Sequence, residues 1–139
     1  MLRKIYVPVL ALMAIAGLQM QPAFAETPDD ILASIQKEMT DMPGVHGFSA
    51  AHGESFFKTR HDNEWSCSSC HTENPAASGK HEKTGKTIKP LAPSANAERF
   101  TSQKKVDKWF KRNCNDVLGR ACTAQERGDV LTYLLTVKN

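Results

Sequence analysis

The chain contains 139 residues, of which 40% are hydrophobic and 24% are charged. This composition excludes a membrane-embedded bundle and a disordered tail, and the length allows one small domain. Eighteen Lys and Arg residues against 15 Asp and Glu residues give a net charge of +3. That charge is too small to predict nucleic acid as the main partner.

Residues 1–25 have the layout of a secretory signal peptide. Arg3 and Lys4 provide a positive start, an apolar run follows, and Ala23-Phe24-Ala25 matches a cleavage site. The apolar run is short for a membrane-spanning helix, although an uncleaved tether remains the alternative. We expect cleavage to leave residues 26–139 as one domain in the periplasm, where spare cysteines form disulfides.

The first two predicted elements after the signal peptide are helices. The first begins at Thr27-Pro28-Asp29-Asp30, which combines a capping hydroxyl, a first-turn proline and acids at the positive end of the helix dipole. Pro43-Gly44 is predicted to stop it. The second helix is predicted from Ser49 to about Lys58.

Residues 61–93 are rich in glycine and proline and are predicted to form a long loop. One helical turn is expected over Ser94–Phe100. The next helix is predicted from Ser102 to about Arg112, and the last begins with a capping box at Thr123–Glu126. Two apolar faces are expected, one with Val106, Trp109, Phe110 and Asn113, the other with Val130, Leu131, Leu134 and Leu135.

Charge is distributed unevenly along the chain. Residues 26–64 hold eight acids and three bases, whereas residues 80–112 hold ten bases and three acids. The basic stretch fits either a docking face for an acidic redox partner or an ordinary solvated surface.

The motif that carries chemistry is C-x-x-C-H, formed by Cys67, Cys70 and His71. In an exported protein this pattern is the attachment signature of c-type haem. The two sulfurs reach the vinyl positions on one edge of the porphyrin, and the histidine that follows lies under the iron. We therefore predict one haem c, covalently attached through Cys67 and Cys70 and ligated by His71.

Three other interpretations of these cysteines compete with haem attachment. A thioredoxin-like redox motif needs a βαβ setting, for which no pattern is visible. A zinc site could combine them with Cys114 and Cys122, but the spacing of that second pair is wider than zinc sites use. A Cys67–Cys70 disulfide would leave His71 unexplained.

The sixth iron ligand is not fixed by the pattern alone. Small cytochromes c commonly use a methionine after the motif, but the last methionine here is Met42, which disfavours a His/Met carrier. The candidates are therefore His81, an earlier histidine, a lysine, an asparagine or no residue; the earlier histidines are His46, His52 and His61. Asn113 shares a predicted helix face with Trp109, but an asparagine near a helix end also serves as a cap.

Two further stretches resemble blocks of the sphaeroides haem protein (SHP) family, a group of small oxygen-binding cytochromes c. One is Thr84–Ser94 followed by Arg99-Phe100-Thr101, and the other is Arg112–Cys122. Together with the C-x-x-C-H motif they keep the family's order and similar separations over about residues 65–137.

The resemblance implies a complete site. In the family the asparagine of the Arg-Asn-Cys block is the sixth ligand, and the following cysteine pairs with the one eight positions on; the matching residues are Asn113, Cys114 and Cys122. The resemblance also implies that the ferrous form loses the asparagine and binds small diatomic molecules. A dihaem cytochrome c is the typical electron donor, and the protein is expected to be a monomer or weak dimer.

We therefore predict an all-α, single-domain, class I-like cytochrome c fold that encloses one haem. The predicted function is electron transfer with a diatomic-binding site that opens on reduction, because an amide oxygen suits ferric iron better than the softer ferrous ion. The alternatives are a plain bis-His electron-transfer cytochrome and a haem enzyme acting on peroxide or nitric oxide. An enzyme would need acid–base groups near the iron, for which His81 and Arg112 are candidates; we expect a carrier and not an enzyme.

Overall fold

The computed structural model describes residues 25–40 and 47–139. The described helices are α1 (Pro28–Lys37), α2 (Ala50–Lys58), α3 (Cys67–His71), α4 (Gln103–Leu118) and α5 (Ala124–Thr136). Two short strands, β1 (Gly79–Lys80) and β2 (Thr87–Ile88), pair antiparallel with Gly79 opposite Ile88.

Three predictions concern residues outside the described ranges. They are the signal peptide, of which only Ala25 is described, the stop at Pro43-Gly44, and His46 as an iron ligand. Within the described ranges, no helix is long and apolar enough to cross a membrane.

The helix starts confirm the capping predictions. Thr27 Oγ accepts the Asp30 N–H at 3.2 Å, and the Asp30 carboxylate accepts the Thr27 N–H at 2.9 Å. Thr123 and Glu126 form the same reciprocal pair at the start of α5, with distances of 3.1 and 2.8 Å. Ser49 caps α2. Each pair satisfies amide groups that a helix N-terminus leaves free.

The packing of α2 against α5 depends on two glycines. A Cβ atom at Gly53 would lie 1.9 Å from the carbonyl oxygen of Asp129, and one at Gly128 would lie 2.0 Å from the ring of Phe48. The buried Asp129 carboxylate also accepts the Ser49 N–H at 2.7 Å. Gly53 therefore allows α2 to approach the backbone of α5, and Gly128 leaves room for the Phe48 ring.

The core consists of three buried clusters, and α1 also packs on α5. The first joins α1, α4 and α5, the second joins α2 and α5, and the third fills the end of α4. They comprise Ile31, Ile35, Val106 and Leu131; Phe57, Val130, Tyr133 and Leu134; and Cys114, Val117 and Leu118. The predicted α5 face is confirmed at three of its four positions, since Leu135 is only half-buried.

Two predictions of local structure are wrong. Ser94–Phe100 forms no helix; it is a series of turns in which the Ala95 N–H donates to Ala92 O at 3.1 Å and the Arg99 N–H to Asn96 O at 3.0 Å. Residues 61–93 are not loop throughout, because they contain α3 and the β1–β2 hairpin.

The predicted end of α4 at Arg112 is also wrong. The helix continues to Leu118 and ends at Gly119, which has a φ of 68°. Its last turn is retained because Cys114, Val117 and Leu118 are buried. Gly119 adopts the left-handed conformation that commonly ends a helix. The described elements are nevertheless mainly helices, as predicted.

Candidate functional site

The C-x-x-C-H motif forms the short helix α3, which Ser66 starts. Ser66 Oγ accepts the Ser69 N–H at 3.0 Å, and Ser69 Oγ accepts the Ser66 N–H at 3.0 Å. This reciprocal capping holds Cys67 and Cys70 one turn apart, so that both thiols lie on the same side of the helix. His71 is the last residue of α3.

The C-terminal end of α3 is held by the backbone of the β1–β2 hairpin. A Cβ atom at Gly79 would lie 2.1 Å from the carbonyl oxygen of Cys70, so only glycine permits this contact. The Glu82 N–H also points to Cys70 Sγ at 3.5 Å. The chain leaves the helix through Thr72, which has a φ of 63°. A β-branched residue rarely adopts this conformation, and the surrounding contacts fix it here.

A cavity of about 990 Å³ lies between α3, α4, α5 and the hairpin. Its wall combines Cys67, Cys70 and His71 with Asn113 of α4. Most of the remaining surface is aromatic or aliphatic, including Phe56, Phe57, Trp65, Leu91, Val106, Phe110, Val130 and Leu134. The volume lies at the upper end of the usual range for ligand pockets, about 300–1,000 Å³. Apolar walls, two thiols and an imidazole fit a large flat macrocycle such as haem.

The chemistry of the donor set also fits haem. Burial, followed by the electrostatic effects of Arg99 and His81, lowers the pKa of His71 to about 4. The imidazole is therefore neutral near pH 7, which is the form that binds a metal ion. Burial raises the pKa of the Cys67 thiol to about 12, so this sulfur stays protonated in the absence of another reactant.

Asn113 lies inside α4, five residues before its end. The interpretation of this residue as a helix cap is therefore wrong. The predicted face is confirmed, because Val106, Trp109, Phe110 and Asn113 all line the cavity. Asn113 is half-buried, and it lines the same cavity as His71.

The described histidines differ in their access to this cavity. His81 lines it, and its Nδ1 accepts the Thr84 N–H at 3.3 Å. His61 is engaged elsewhere, since its Nε2 donates to the Phe56 carbonyl oxygen at 2.9 Å. His52 is exposed on α2 and does not line the cavity. Among the described histidines other than His71, His81 is therefore the one that lines the cavity.

The four cysteines adopt one of the arrangements considered from the sequence. Cys114 and Cys122 form a disulfide, with their Cα atoms 5.5 Å apart. Cys67 and Cys70 are free thiols. The four-cysteine zinc site and the Cys67–Cys70 disulfide are both wrong, because each requires a different pairing. The thioredoxin-like setting is also wrong, since the strands described in residues 25–40 and 47–139 form only an antiparallel hairpin.

Arg99 is a cavity residue that sequence patterns did not single out. Its Nε donates to the Pro90 carbonyl oxygen at 2.9 Å, and its Nη2 donates to the Lys89 carbonyl oxygen at 2.8 Å. These bonds hold a half-buried positive charge at the cavity wall. The only signal in the sequence was the position of Arg99 in a block resembling the SHP family.

Comparison with known proteins gives a family match and two close relatives. A family model described as a domain of unknown function, DUF1924, matches residues 43–134. Cytochrome c'' from Methylophilus methylotrophus is 50% identical over 80 residues, which are 58% of this chain and 56% of the relative. The cytochrome c-type protein SHP from Cereibacter sphaeroides is 49% identical over 69 residues, which are 50% of this chain and 53% of the relative. The matched segments thus span about half the length of these relatives.

Solved structures extend the likeness to most of the fold. Oxidised SHP, described as an oxygen-binding cytochrome c, is 35% identical with a TM-score of 0.69, over 79% of this chain and 96% of that one. The chain belongs to the DUF1924 family and to the SHP family of c-type cytochromes. Oxidised cytochrome c'' from M. methylotrophus is 37% identical with a TM-score of 0.71, over 81% of this chain and 95% of that one.

Membership of this SHP family confirms the resemblance and the fold class. Because c-type cytochromes bind haem covalently through a C-x-x-C-H motif, the cofactor is haem c. The cavity and its donor set, described above, are consistent with this cofactor.

Proposed function

We propose that this chain is an exported electron-transfer cytochrome whose sixth ligand is the carboxamide of Asn113 and is released on reduction. Residues 1–25 act as a cleaved signal peptide, and residues 26–139 form the monohaem domain in the periplasm. Cys67 and Cys70 would attach the haem, and His71 would bind its iron in both oxidation states. The observation that carries the proposal is that Asn113 shares one cavity with His71 and both thiols.

When bound, haem supplies an iron that exchanges one electron and accepts a small diatomic ligand in its ferrous state. His71 is suited to stay in place, because α3 is capped by Ser66 and backed by Gly79. The Asn113 oxygen is a hard, neutral and weak donor, which suits the ferric ion better than the ferrous ion. Asn113 therefore leaves more readily on reduction than a histidine or methionine would.

The position of Asn113 supports release without unfolding. It lies in a continuous stretch of α4, and the next residue, Cys114, is buried and joined to Cys122. The backbone at this point is thereby held on both sides. The carboxamide can move by side-chain rotation alone, which leaves the helix intact.

Arg99 would contribute to holding the cofactor. Haem carries two propionate carboxylates, and a half-buried guanidinium with two of its donors bound to backbone carbonyls is a fixed positive partner for one of them. The same charge disfavours protonation of His71, which favours the neutral imidazole.

The visible and EPR spectra of Asn113→Ala test the sixth ligand. We expect the ferric protein to change from low spin to high spin, because the variant offers no side-chain donor at this position. Asn115→Ala, on the exposed side of the same helix, is the matched control and should keep the low-spin spectrum. A low-spin Asn113→Ala protein that becomes high spin only when His81→Ala is added would assign the ligand to His81.

Carbon monoxide added to the reduced protein tests release. If Asn113 leaves on reduction, carbon monoxide can bind in its place, so we expect the Soret band of the reduced wild-type protein to shift when carbon monoxide is added. An unchanged band would support the bis-His alternative.

The proposed ligands in the cell are oxygen or nitric oxide, the proposed electron donor is a dihaem cytochrome c, and the proposed state is a monomer or weak dimer.

One observation favours a second candidate function, turnover of peroxide or nitric oxide. His81 and Arg112 both line the cavity, so they are available as acid–base groups near a bound diatomic molecule. Steady-state assays with peroxide and with nitric oxide distinguish the candidates. Turnover that His81→Ala or Arg112→Ala lowers by about 10²-fold or more would favour the enzyme.

A further inference from the structure

The outer side of α4 carries five positively charged side chains that all face solvent. We call this surface the α4 basic face; it consists of Lys104, Lys105, Lys108, Lys111 and Arg112. At 3.6 residues per turn they fall within an arc of roughly 120°. None of the five forms an ion pair with a described residue.

The acid nearest in sequence does not neutralise this face. Asp107 is 3.5 Å from Arg127 of α5 and accepts a hydrogen bond from Gln103 at 2.8 Å. Its charge is therefore directed to the other side of α4.

This arrangement of charges opposes helix formation. Two of the lysines, Lys104 and Lys105, lie in the first turn of α4, where the helix dipole disfavours positive charge. Lys108 is four residues from Lys104 and four from Arg112, and like charges at this spacing destabilise a helix. The cost is offset if a negatively charged surface binds there.

The edge of the α4 basic face also carries an exposed aromatic residue. Trp109 is 49% exposed, and it is the exposed large hydrophobic residue of residues 25–40 and 47–139. The guanidinium of Arg112 lies 5.8 Å from the centre of its ring. Trp109 also lines the large cavity, so it marks the place where the α4 basic face meets the cofactor site.

A shallow concavity of about 390 Å³ lies within the same surface. Lys108, Lys111, Arg112, Asn115 and Ala121 line it. The three cationic groups around it can surround the carboxylate of an Asp or Glu side chain.

The α4 basic face is continuous with the mouth of the large cavity. Arg112 lines both the concavity and the cavity, and Lys105 and Trp109 line the cavity. A protein bound here would therefore lie next to the cofactor site.

We propose that the α4 basic face is the docking surface for an acidic redox protein, with Lys108 at its centre and a partner carboxylate in the concavity that Lys108, Lys111 and Arg112 line. This inference rests on the proposed electron-transfer function. It assigns the entry point of the electron to the helix that bears Asn113. Docking and the sixth ligand thereby share one structural element.

Stopped-flow reduction of the haem-loaded ferric protein tests the surface. An acidic flavodoxin in its hydroquinone form is the probe, and a small neutral hydroquinone reports on the haem without protein docking. The test variant is K108E/K111E. The matched control is K80E/K83E, which changes the net charge equally on exposed lysines of the hairpin region.

We expect the second-order rate constant with flavodoxin to fall about tenfold in K108E/K111E at low salt and to change less than about twofold in K80E/K83E. Raising the ionic strength should lower the wild-type rate and remove the difference. K108Q/K111Q should lie between the wild type and the charge reversal. All variants should react equally with the neutral hydroquinone.

Three results would overturn the proposal. Equal losses in K108E/K111E and K80E/K83E would mean that overall charge, and not a specific surface, sets the rate. A loss confined to K80E/K83E would place docking on the hairpin. Binding to phosphatidylglycerol vesicles that K108E/K111E abolishes, with an unchanged flavodoxin rate, would assign the face to a membrane surface. A wild-type protein that the neutral hydroquinone also fails to reduce would instead refute the proposed function, and this surface with it.

Discussion

Substitution of Gly53 by alanine is a direct test of the packing between α2 and α5. The new Cβ atom would lie 1.9 Å from the carbonyl oxygen of Asp129 and 2.9 Å from the amide nitrogen of Val130. Both atoms belong to the backbone of α5, so no side chain can rotate to make room. Restoring an ordinary contact of 3.4 Å requires α2 to move by about 1.5 Å, and overpacked cores respond in this way.

Two opposing effects determine the magnitude. Alanine is favoured over glycine inside a helix by about 1 kcal/mol. Overpacking costs about 1–3 kcal/mol, and displacement of α2 weakens the hydrogen bond from Ser49 to Asp129, which contributes about 1 kcal/mol. We therefore expect Gly53→Ala to lower the free energy of unfolding by about 1–3 kcal/mol.

Urea denaturation followed by far-ultraviolet circular dichroism measures this difference. Gly47→Ala is the matched control, because a Cβ atom there meets no atom within 4 Å, and it should change the stability by less than about 0.5 kcal/mol. A Gly53→Ala protein about 1 kcal/mol more stable than the wild type would show that helix propensity dominates. That outcome would refute the backbone contact between the two helices.

Two further predictions concern the segment between α4 and α5. The double variant Cys114→Ser/Cys122→Ser should lower the free energy of unfolding by about 2.6 kcal/mol, which is the chain-entropy value for a loop of this size. Urea denaturation under identical conditions measures this difference. A loss below about 0.5 kcal/mol would contradict a stabilising role for the disulfide. Hydrogen bonds from Arg120 hold the pKa of Glu126 below its usual value. This pair therefore stabilises the fold fully at a pH above the unfolded-state pKa of the carboxyl group. The stabilisation is lost as the pH falls through the lower pKa of the folded state. Arg120→Gln should therefore lower the melting temperature at pH 7 and have no effect at a pH below that folded-state value, whereas an equal loss at both pH values would assign the effect to packing of the arginine stem.

Local signals in the sequence were sufficient for the starts of α1, α2, α4 and α5 and for the attachment motif, but the short helix α3 was not predicted. Thr27 and Thr123 are each followed three residues later by an acid, and both form the reciprocal cap that this spacing predicts. These features depend on residues within one turn of each other. They are therefore visible without knowledge of the fold.

The length of α4 depends on contacts that are distant in sequence. Asn113, Cys114, Asn115 and Asp116 all have low helix propensity, which suggested an end near Arg112. The helix continues because Val117 and Leu118 are buried in the third cluster, together with the cysteine that is joined to Cys122. Tertiary packing overrides propensity here, and the proposed role of Asn113 as an iron ligand depends on that extension.

The sequence also did not indicate which of these polar side chains line the cavity. His61 and His81 are both flanked by polar residues, yet a hydrogen bond to Phe56 engages one of them and the hairpin brings the other to the cavity wall. The hairpin has strands of only two residues, which are too short to show an alternating pattern. Arg99 likewise reaches the wall through bonds to the backbone of a loop.

The contact of Gly79 with the Cys70 carbonyl limits how much of the protein must rearrange during a redox cycle. The hairpin and the serine cap immobilise the main chain that carries His71, and the disulfide restrains the main chain beside Asn113. In the proposed mechanism the part of the protein that moves on reduction is therefore the side chain of Asn113. Exposed side chains change rotamer in picoseconds to nanoseconds, whereas local unfolding takes microseconds or longer. Release of Asn113 would therefore not have to wait for local unfolding, and the main chain of the site would keep its position in both redox states.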